Sequence, residues 1–385
     1  MSQPKQIKYD YIIAGMGASG LSLAMRLAKS AVEFSRILII DKAQKNKNDR
    51  TWCFWTKETN DWYAPLIKNS WQNISFNSTT YHNKFNIAPY TYVLIKGIDF
   101  YDYCLSFLQK DPRFEFITDN IVSIATLDNW AELKTLDTQY SAKLIFNSAF
   151  RTTSIKKHDI NYVQHFKGWV IETNTDIFDE TCPVFMDFNT QQFNDCRFFY
   201  VIPFSKNKAL VEYTGFSKEP IPSEDYDKNL TRYIQEDLGI SDYTVVESEY
   251  GEIPMMESLF INPFGTKVIN IGTSGGNSKP STGYTFYFIQ KSTAKIIQQL
   301  EKKIAVTPIR QHSKFKLYDK VLLDVIDKQR LQADTIFTAL FKKNKIQNLL
   351  RFLNEETSFI DDIKILNSVP KKAFITSALL KLLGK

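Results

Sequence analysis

The sequence predicts an α/β protein with a Rossmann-like dinucleotide-binding domain, a β-sheet region beside it and a helical C-terminal region. Three observations predict it. The first 41 residues read as strand, glycine turn, helix and strand. Aromatic and β-branched runs broken by polar turns fill the middle of the chain, and from about residue 306 onward apolar residues recur at helical spacing. At about 150 residues per domain, 385 residues make two or three structural units.

Tyr9 to Ala14 is a short apolar strand, Leu21 to Ala28 has helical spacing, and Ile37 to Ile40 is a second buried strand ending at Asp41. Lys42–Arg50 is a charged loop without periodicity. Asp99–Lys110 reads as a helix with Phe100, Tyr103, Cys104, Phe107 and Leu108 on one face. Strands follow within residues 114–146, 161–172 and 183–187. Arg197–Phe204 and Ala209–Phe216 form a hairpin around Ser205–Lys208. Lys267–Gly272 is a strand running into a second glycine turn, and a helix extends from Gly283 to about Lys302. The last helix sets Ile375, Ala378, Leu379, Leu382 and Leu383 against Lys371, Lys372, Lys381 and Lys385. That pattern suits a membrane surface or packing on its own domain.

Lys and Arg number 48 against 42 Asp and Glu, a net charge of +6. The excess is mild and spread out, with no RNP, zinc-finger or basic-region pattern, which argues against nucleic acid and leaves an anionic membrane surface open. Cys53, Cys104, Cys182 and Cys196 make no C-x-x-C, so a reducing cytoplasm is expected and no disulfide framework. His82, His158, His165 and His312 share no ligand spacing, so no metal is expected. No stretch reaches the ~18 apolar residues of a membrane span. Aromatic residues make up 14% of the chain, enough both to fill a core and to line a tunnel for an apolar ligand.

The best local signal is Gly15-Met16-Gly17-Ala18-Ser19-Gly20 between a strand and a helix, with Asp41 at the end of the next strand. Gly15 permits the tight turn, Gly17 lets backbone approach a pyrophosphate, and Gly20 lets the helix pack on the strand. The helix start at Ala18 and Ser19 offers N–H groups and partial positive charge to phosphates. Asp41 can hydrogen-bond a ribose hydroxyl. The motif does not tell FAD from NAD. A second strand-to-glycine-turn segment, Gly272-Thr273-Ser274-Gly275-Gly276 and then Thr282-Gly283, recurs far along the chain. Two-part flavoproteins use such a segment to hold the flavin, whereas a nicotinamide dehydrogenase does not need one.

Glu212 stands in the apolar run Ala-Leu-Val-Glu-Tyr-Thr-Gly-Phe. If buried, its pKa rises and it becomes a neutral proton donor. From spacing alone, the polar face of a half-exposed strand is the more ordinary place for it.

Taken in order, several blocks resemble bacterial-type lycopene β-cyclases, a family of flavoprotein carotenoid cyclases. They are Tyr9–Gly20, Asp49–Trp55 (DRTWCFW), Gln164–Glu172, Phe185–Phe188, Arg197–Ser205, Leu210–Thr214, Gly251–Met255, Gly272–Tyr284 and Phe352–Thr357. The resemblance implies a fold of the flavin hydroxylase type. It implies a discontinuous FAD-binding domain over 1–75, 96–150 and 250–305, a substrate-binding β-rich domain over 76–95 and 151–249, and a C-terminal helical region over 306–385.

The same resemblance implies FAD in its reduced form, with NADPH as reductant. Gly15, Gly17, Ala18, Ser19, Gly20, Asp41, Arg50, Gly272, Thr273, Gly276, Thr282 and Gly283 would hold it. The implied substrates are lycopene and other linear carotenoids, contacted by Phe199, Tyr200 and Pro203. Their ψ ends would close to β-ionone rings, giving γ-carotene and then β-carotene, in a non-redox isomerisation at the cytoplasmic face of a membrane. Glu212 matches the family's acid–base carboxylate, which reverses the preference for an exposed position; either it or the reduced flavin would donate the proton. Glu355 and Glu356 spell a similar Glu-Glu-Thr but belong to a different block. Hydroxylase relatives usually carry Gly-Asp where this chain has Gly272-Thr273. Alternatives are a flavin-dependent isoprenoid reductase or hydroxylase, or a non-catalytic carotenoid- or flavin-binding protein.

Overall fold

The computed structural model describes residues 6–58, 60–149, 161–256, 264–307 and 313–382. His158, His312, Leu383 and Lys385 lie outside them. Strand β1 (Gln6–Ala14), helix α1 (Ala18–Ala28) and strand β2 (Ile37–Asp41) form the expected βαβ unit. Ile12, Ile13, Ala14 and Ile37 to Ile40 are fully buried, so these strands read as continuous apolar runs, as parallel strands covered on both faces do.

The chain continues through β3 (Thr51–Thr56), β4 (Asn69–Trp71), β5 (Asn73–Ser78), β6 (Tyr81–Asn86) and β7 (Thr91–Lys96) to α2 (Gly97–Leu108). Then come β8 (Phe114–Thr118), β9 (Ser123–Leu127), β10 (Trp130–Lys134) and β11 (Gln139–Asn147). The next elements are β12 (Asn161–Glu172), β13 (Val184–Asp187), β14 (Cys196–Ser205), β15 (Lys208–Ser217), α3 (Ser223–Arg232), β16 (Thr244–Met256) and β17 (Val268–Asn270). Helices α4 (Phe286–Glu301), α5 (Ser313–Asp327), α6 (Ala333–Lys343), α7 (Ile346–Leu353), α8 (Phe359–Leu366) and α9 (Lys371–Leu382) complete it.

The first sheet runs β8-β2-β1-β11-β10-β9, with β17 also on β11. Its β8, β2, β1, β11 and β17 pairings are parallel, and β9 and β10 close it as an antiparallel meander. Because β1 and β17 both lie beside β11, the two glycine turns that follow them emerge at the same end of the sheet. Helix α4 packs along α1, where Gln290 Nε2 donates to Ser22 Oγ at 2.8 Å. The expected helix start at Gly283 shifts to Phe286, because Gly283 takes φ +69°, which an α-helix does not continue through.

A second seven-stranded sheet runs β16-β12-β15-β14-β13-β5-β6. The hairpin β14–β15 forms as expected, turning at Lys206–Asn207. One face of this sheet packs on the C-terminal helices: Phe76 stacks on Phe341 at 4.2 Å and Phe188 on Phe337 at 5.2 Å. The other face packs on α3 through Tyr226, Leu230 and Tyr233. A small sheet, β3-β7-β4, completes the three. Strand pairing moves two expected domain boundaries. Residues 91–95 pair with β3 rather than joining the second sheet, and residues 250–256, the first few of the segment from 250, belong to β16 and hence to the second sheet.

Helix α9 is rotated from its expected face. Ala373, Phe374, Ser377 and Ala378 pack inward, and Lys381 reaches Asp324 at 3.2 Å. Ile375, Leu379 and Leu382 instead face solvent, with Phe359, Ile360 and Ile363 of α8 similarly exposed.

The helical region is tied to the segment between β17 and α4 by a buried cation. Lys279 Nζ lies 2.8 Å from Glu355 Oε1 and 3.0 Å from Asp319 Oδ1. Removing the cation from such a cluster takes away the charge that both acids share. Lys279→Ala should therefore cost about 3–5 kcal/mol in urea unfolding. A loss below about 1 kcal/mol would show that this tie does not hold the helices to the fold.

Candidate active site

A single cavity of about 710 Å³ runs from the first glycine turn to the second sheet, well within the size range of ligand pockets. Its floor at one end is Gly15, Gly17, Ala18 and Ser19. At Gly17 an added Cβ would meet no atom within 4 Å, so the backbone faces open space there. Ser19 Oγ is buried at this end without a hydrogen-bond partner among the described residues. Asp41 lines the same wall; its Oδ2 accepts from Met16 N at 2.6 Å and ties the end of β2 to the turn. Arg50 lines it from the loop before β3, with Nη1 donating to Tyr250 O at 3.1 Å. From the second turn come Gly272, Thr273, Thr282 and Gly283. A glycine cradle, a free hydroxyl and a helix N-terminus are donor chemistry that fits a dinucleotide pyrophosphate.

The far end is the second sheet. Gln164 and Phe166 of β12, Tyr200 and Ile202 of β14, and Leu210 and Glu212 of β15 share one face and line the cavity. Alternation along a strand decides this set, since residues two apart share a face. It also corrects two expectations. Phe199 points to the opposite face, stacked on Tyr233 at 3.8 Å and on Tyr213 at 4.7 Å, and Pro203 follows it there. Neither lines the cavity, whereas Tyr200 does. Gly20 and Gly276 are likewise off the wall. A Cβ at Gly20 would collide with Gly15 O, so Gly20 serves the helix–strand packing, and Gly276 closes the second turn at φ +75°. Glu355 and Glu356 are also elsewhere: Glu355 pairs with Lys279, and Glu356 accepts from Tyr287.

Glu212 lies deep in the fold, its accessible surface facing the cavity it lines. Thr214 Oγ1 donates to its Oε1 at 2.8 Å. Burial drives its pKa well above the ordinary carboxylate value, and the neighbouring Glu249 raises it further. Glu249 was not legible as a site residue. Register explains why: Gly168 of β12 pairs with Glu212 on one side and Glu249 on the other. A side chain at 168 would run into Leu210 and the Glu249 and Glu212 side chains, so its absence lets the two carboxyl groups meet across the strand. The only available signal was a glycine inside a strand, which marks close approach but not what approaches.

The model of the lycopene cyclase protein family matches residues 10–379. The chain belongs to the lycopene cyclase family. Relatives include the lycopene beta-cyclase of Pantoea ananas, 25% identical over 73% of this chain and 72% of that one. The lycopene beta-cyclase of a Paracoccus strain is 26% identical over 54% of this chain and 52% of that one. Among solved structures, a geranylgeranyl bacteriochlorophyll reductase-like protein from Thermoplasma acidophilum superposes with a TM-score of 0.64 at 13% identity, covering 98% of this chain and 100% of that one. A flavoprotein/dehydrogenase from Cytophaga hutchinsonii gives 0.63 at 12%, covering 98% and 99%. These likenesses establish the flavoprotein fold of this family member.

Among the described residues no group of His, Cys, Asp and Glu is placed to hold a metal ion, and no helix is long and apolar enough to cross a membrane.

Gly17→Val would put two methyl groups into the cavity where backbone faces open space. The variant should fold but carry less than about a tenth of the bound flavin, a loss of at least ~1.4 kcal/mol of binding. Absorbance of the purified protein checks this, and unchanged flavin content would refute the cradle.

Proposed function

We propose that this chain is an FAD-dependent lycopene β-cyclase that closes the ψ ends of lycopene to β-ionone rings, giving γ-carotene and then β-carotene. The observation that carries the reading is Glu212: a carboxyl group whose pKa burial raises well above the ordinary value, on the wall of a cavity that begins at a dinucleotide turn. Family membership supports the substrate, and the two glycine turns at one sheet end support FAD over a nicotinamide cofactor.

Lycopene has no leaving group, so its chemistry begins with a proton. The Glu212 carboxyl breaks its O–H bond and forms a C–H bond at C2, leaving positive charge at C1. The C5=C6 π bond attacks C1, the six-membered ring closes, and the charge moves to C5. The C6 proton returns to the carboxylate, so no atom or electron is gained or lost. Reduced FAD, when bound, supplies negative charge that stabilises such a cation. NADPH is the reductant we assign to it. Tyr200 presents an aromatic ring on the same wall, worth ~1–2 kcal/mol by cation–π attraction in a dry site.

The apolar body of the substrate has a wall to follow. Behind that wall, Tyr200, Thr282 and Tyr284 also line a separate apolar gap of about 20 Å³ between the second sheet and helices α6 and α7, which would have to widen to admit a chain. We also propose that the protein draws its substrate from a lipid surface by peripheral contact. The exposed Phe359, Ile360, Ile375, Leu379 and Leu382 on α8 and α9 support this.

Expression in lycopene-accumulating bacteria tests the reading. Pigment of unchanged mass but with β rings is expected. Linear lycopene beside flavin-loaded protein, or a product of altered mass, would replace cyclisation by carriage, reduction or hydroxylation. Glu212→Gln should retain flavin and lose cyclisation by about 10²–10⁴-fold. Near-normal β-carotene from that variant would end the acid–base assignment.

A further inference from the structure

Glu249 is the carboxylate that faces Glu212 across Gly168. It is only 8% exposed, and Thr51 Oγ1 donates to its Oε2 at 2.7 Å. Its Oε1 is buried with no other donor among the described residues. Among the described residues, the group in hydrogen-bond reach that can supply a proton there is the Glu212 carboxyl, when it is protonated. An unmatched acceptor beside a neutral acid is resolved by one shared proton.

We propose that Glu249 is a positioning residue for the cyclisation: as the ionised member of a one-proton carboxyl pair, it holds the proton on Glu212. This rests on the function proposed above and deepens it. Each carboxyl accepts from one threonine hydroxyl, Thr214 on Glu212 and Thr51 on Glu249, and the Arg50 cation on the Glu249 side favours the charge there. Two carboxylates in contact cannot both ionise cheaply, so the pair binds one proton more tightly than either group alone. When Glu212 gives its proton to C2, both groups are briefly anionic beside the new cation. Their repulsion then makes the pair a strong base for the C6 proton, and the O–H bond is restored. The same contact thus serves both halves of an isomerisation.

Other groups facing the pair are few. Arg50 and Cys53 approach from the β3 side and Tyr200 from β14. Glu247 lies along β16 with its charge held by Lys96 at 3.0 Å. Glu252 lines the same cavity. Burial pushes the Cys53 thiol and Tyr200 hydroxyl up, so both stay neutral and do not titrate with the pair.

The sign follows directly. The protonated form is active, so cyclisation is present below the raised pKa and fades as pH rises through it. Glu249→Gln removes the charge that raises Glu212. The descending limb of the pH–rate profile should move to lower pH by about one unit or more. Above both values this cuts the protonated fraction about tenfold. Thr51→Val removes the donor that favours ionisation and should move the limb the other way. Should Glu249→Gln fail to fold, Thr51→Val decides alone. An unmoved limb in a folded variant overturns the pair, whether or not the rate falls. The infrared carboxyl band of the flavin-loaded protein separates this from the function itself, because it needs no substrate. A buried protonated carboxyl at pH 7, lost in Glu212→Gln and titrating lower in Glu249→Gln, supports the pair even if lycopene is not cyclised. Absence of that band in the parent protein overturns it.

Discussion

The site depends on one constraint: a carboxyl group must stay un-ionised at the wall of a cavity. An ionised carboxylate removed from water costs several kcal/mol after all relaxation, so an unpaired one keeps its proton instead. Among the described residues no arginine or lysine forms an ion pair with Glu212, and the neighbouring Glu249 carries the same sign of charge. That is the reverse of the arrangement at Lys279, where a buried cation is met by two acids. The molecule therefore contains two buried acid clusters with opposite outcomes. At one, a cation pairs the acids; at the other, burial and a like-charged neighbour raise the pKa of Glu212, which is what the proposed proton donor requires.

The second requirement is that this acid be near a cofactor site, and sheet topology supplies it. β11 lies between β1 and β17, so turns separated by some 250 residues of chain open at one sheet end. The cavity they begin is closed by a different sheet, whose cavity-facing residues are fixed by alternation along β12, β14 and β15. A one-residue slip in β15 would turn Glu212 to the α3 face and bring Tyr213 into the cavity. The long antiparallel pairing of β12 with both β15 and β16 makes that slip costly, because it would also break the register of Gly168 with two glutamates.

Local pattern made much of this legible. The βαβ unit, the hairpin and the second glycine turn are short-range features, and residues that decide them are neighbours in the chain. Glu212 needed a resemblance, because an acid in an apolar run has the same spelling whether it faces water or a cavity. Phe199 and Pro203 were misassigned for a related reason: the sheet is covered on both faces, so hydrophobicity does not say which face is the cavity. Glu249 was invisible because its meaning lies in pairing. It becomes a neighbour of Glu212 only through a third strand, and no window along the sequence contains all three residues. Helix α9 differs again: its pattern suited a membrane surface or its own domain, and it buries Ala373, Phe374 and Ala378 while leaving Ile375, Leu379 and Leu382 exposed.

That last departure connects packing to substrate. A helix that buries Ser377 and Lys381 while exposing Ile375, Leu379 and Leu382 gives up apolar burial worth ~1.5–3 kcal/mol per large side chain if nothing covers it. The neighbouring α8 does the same with Phe359 and Ile360. A surface of this kind makes physical sense against lipid, where the exposed side chains regain that energy. A linear C40 hydrocarbon dissolves in the same phase, and a carbocation must be formed away from water that would trap it. Helices α6 and α7 line the apolar gap beyond Tyr200. On the proposed function, the helical region would then serve at two faces: outward contact with the phase that holds the substrate, and inward closure of the space in which it is protonated.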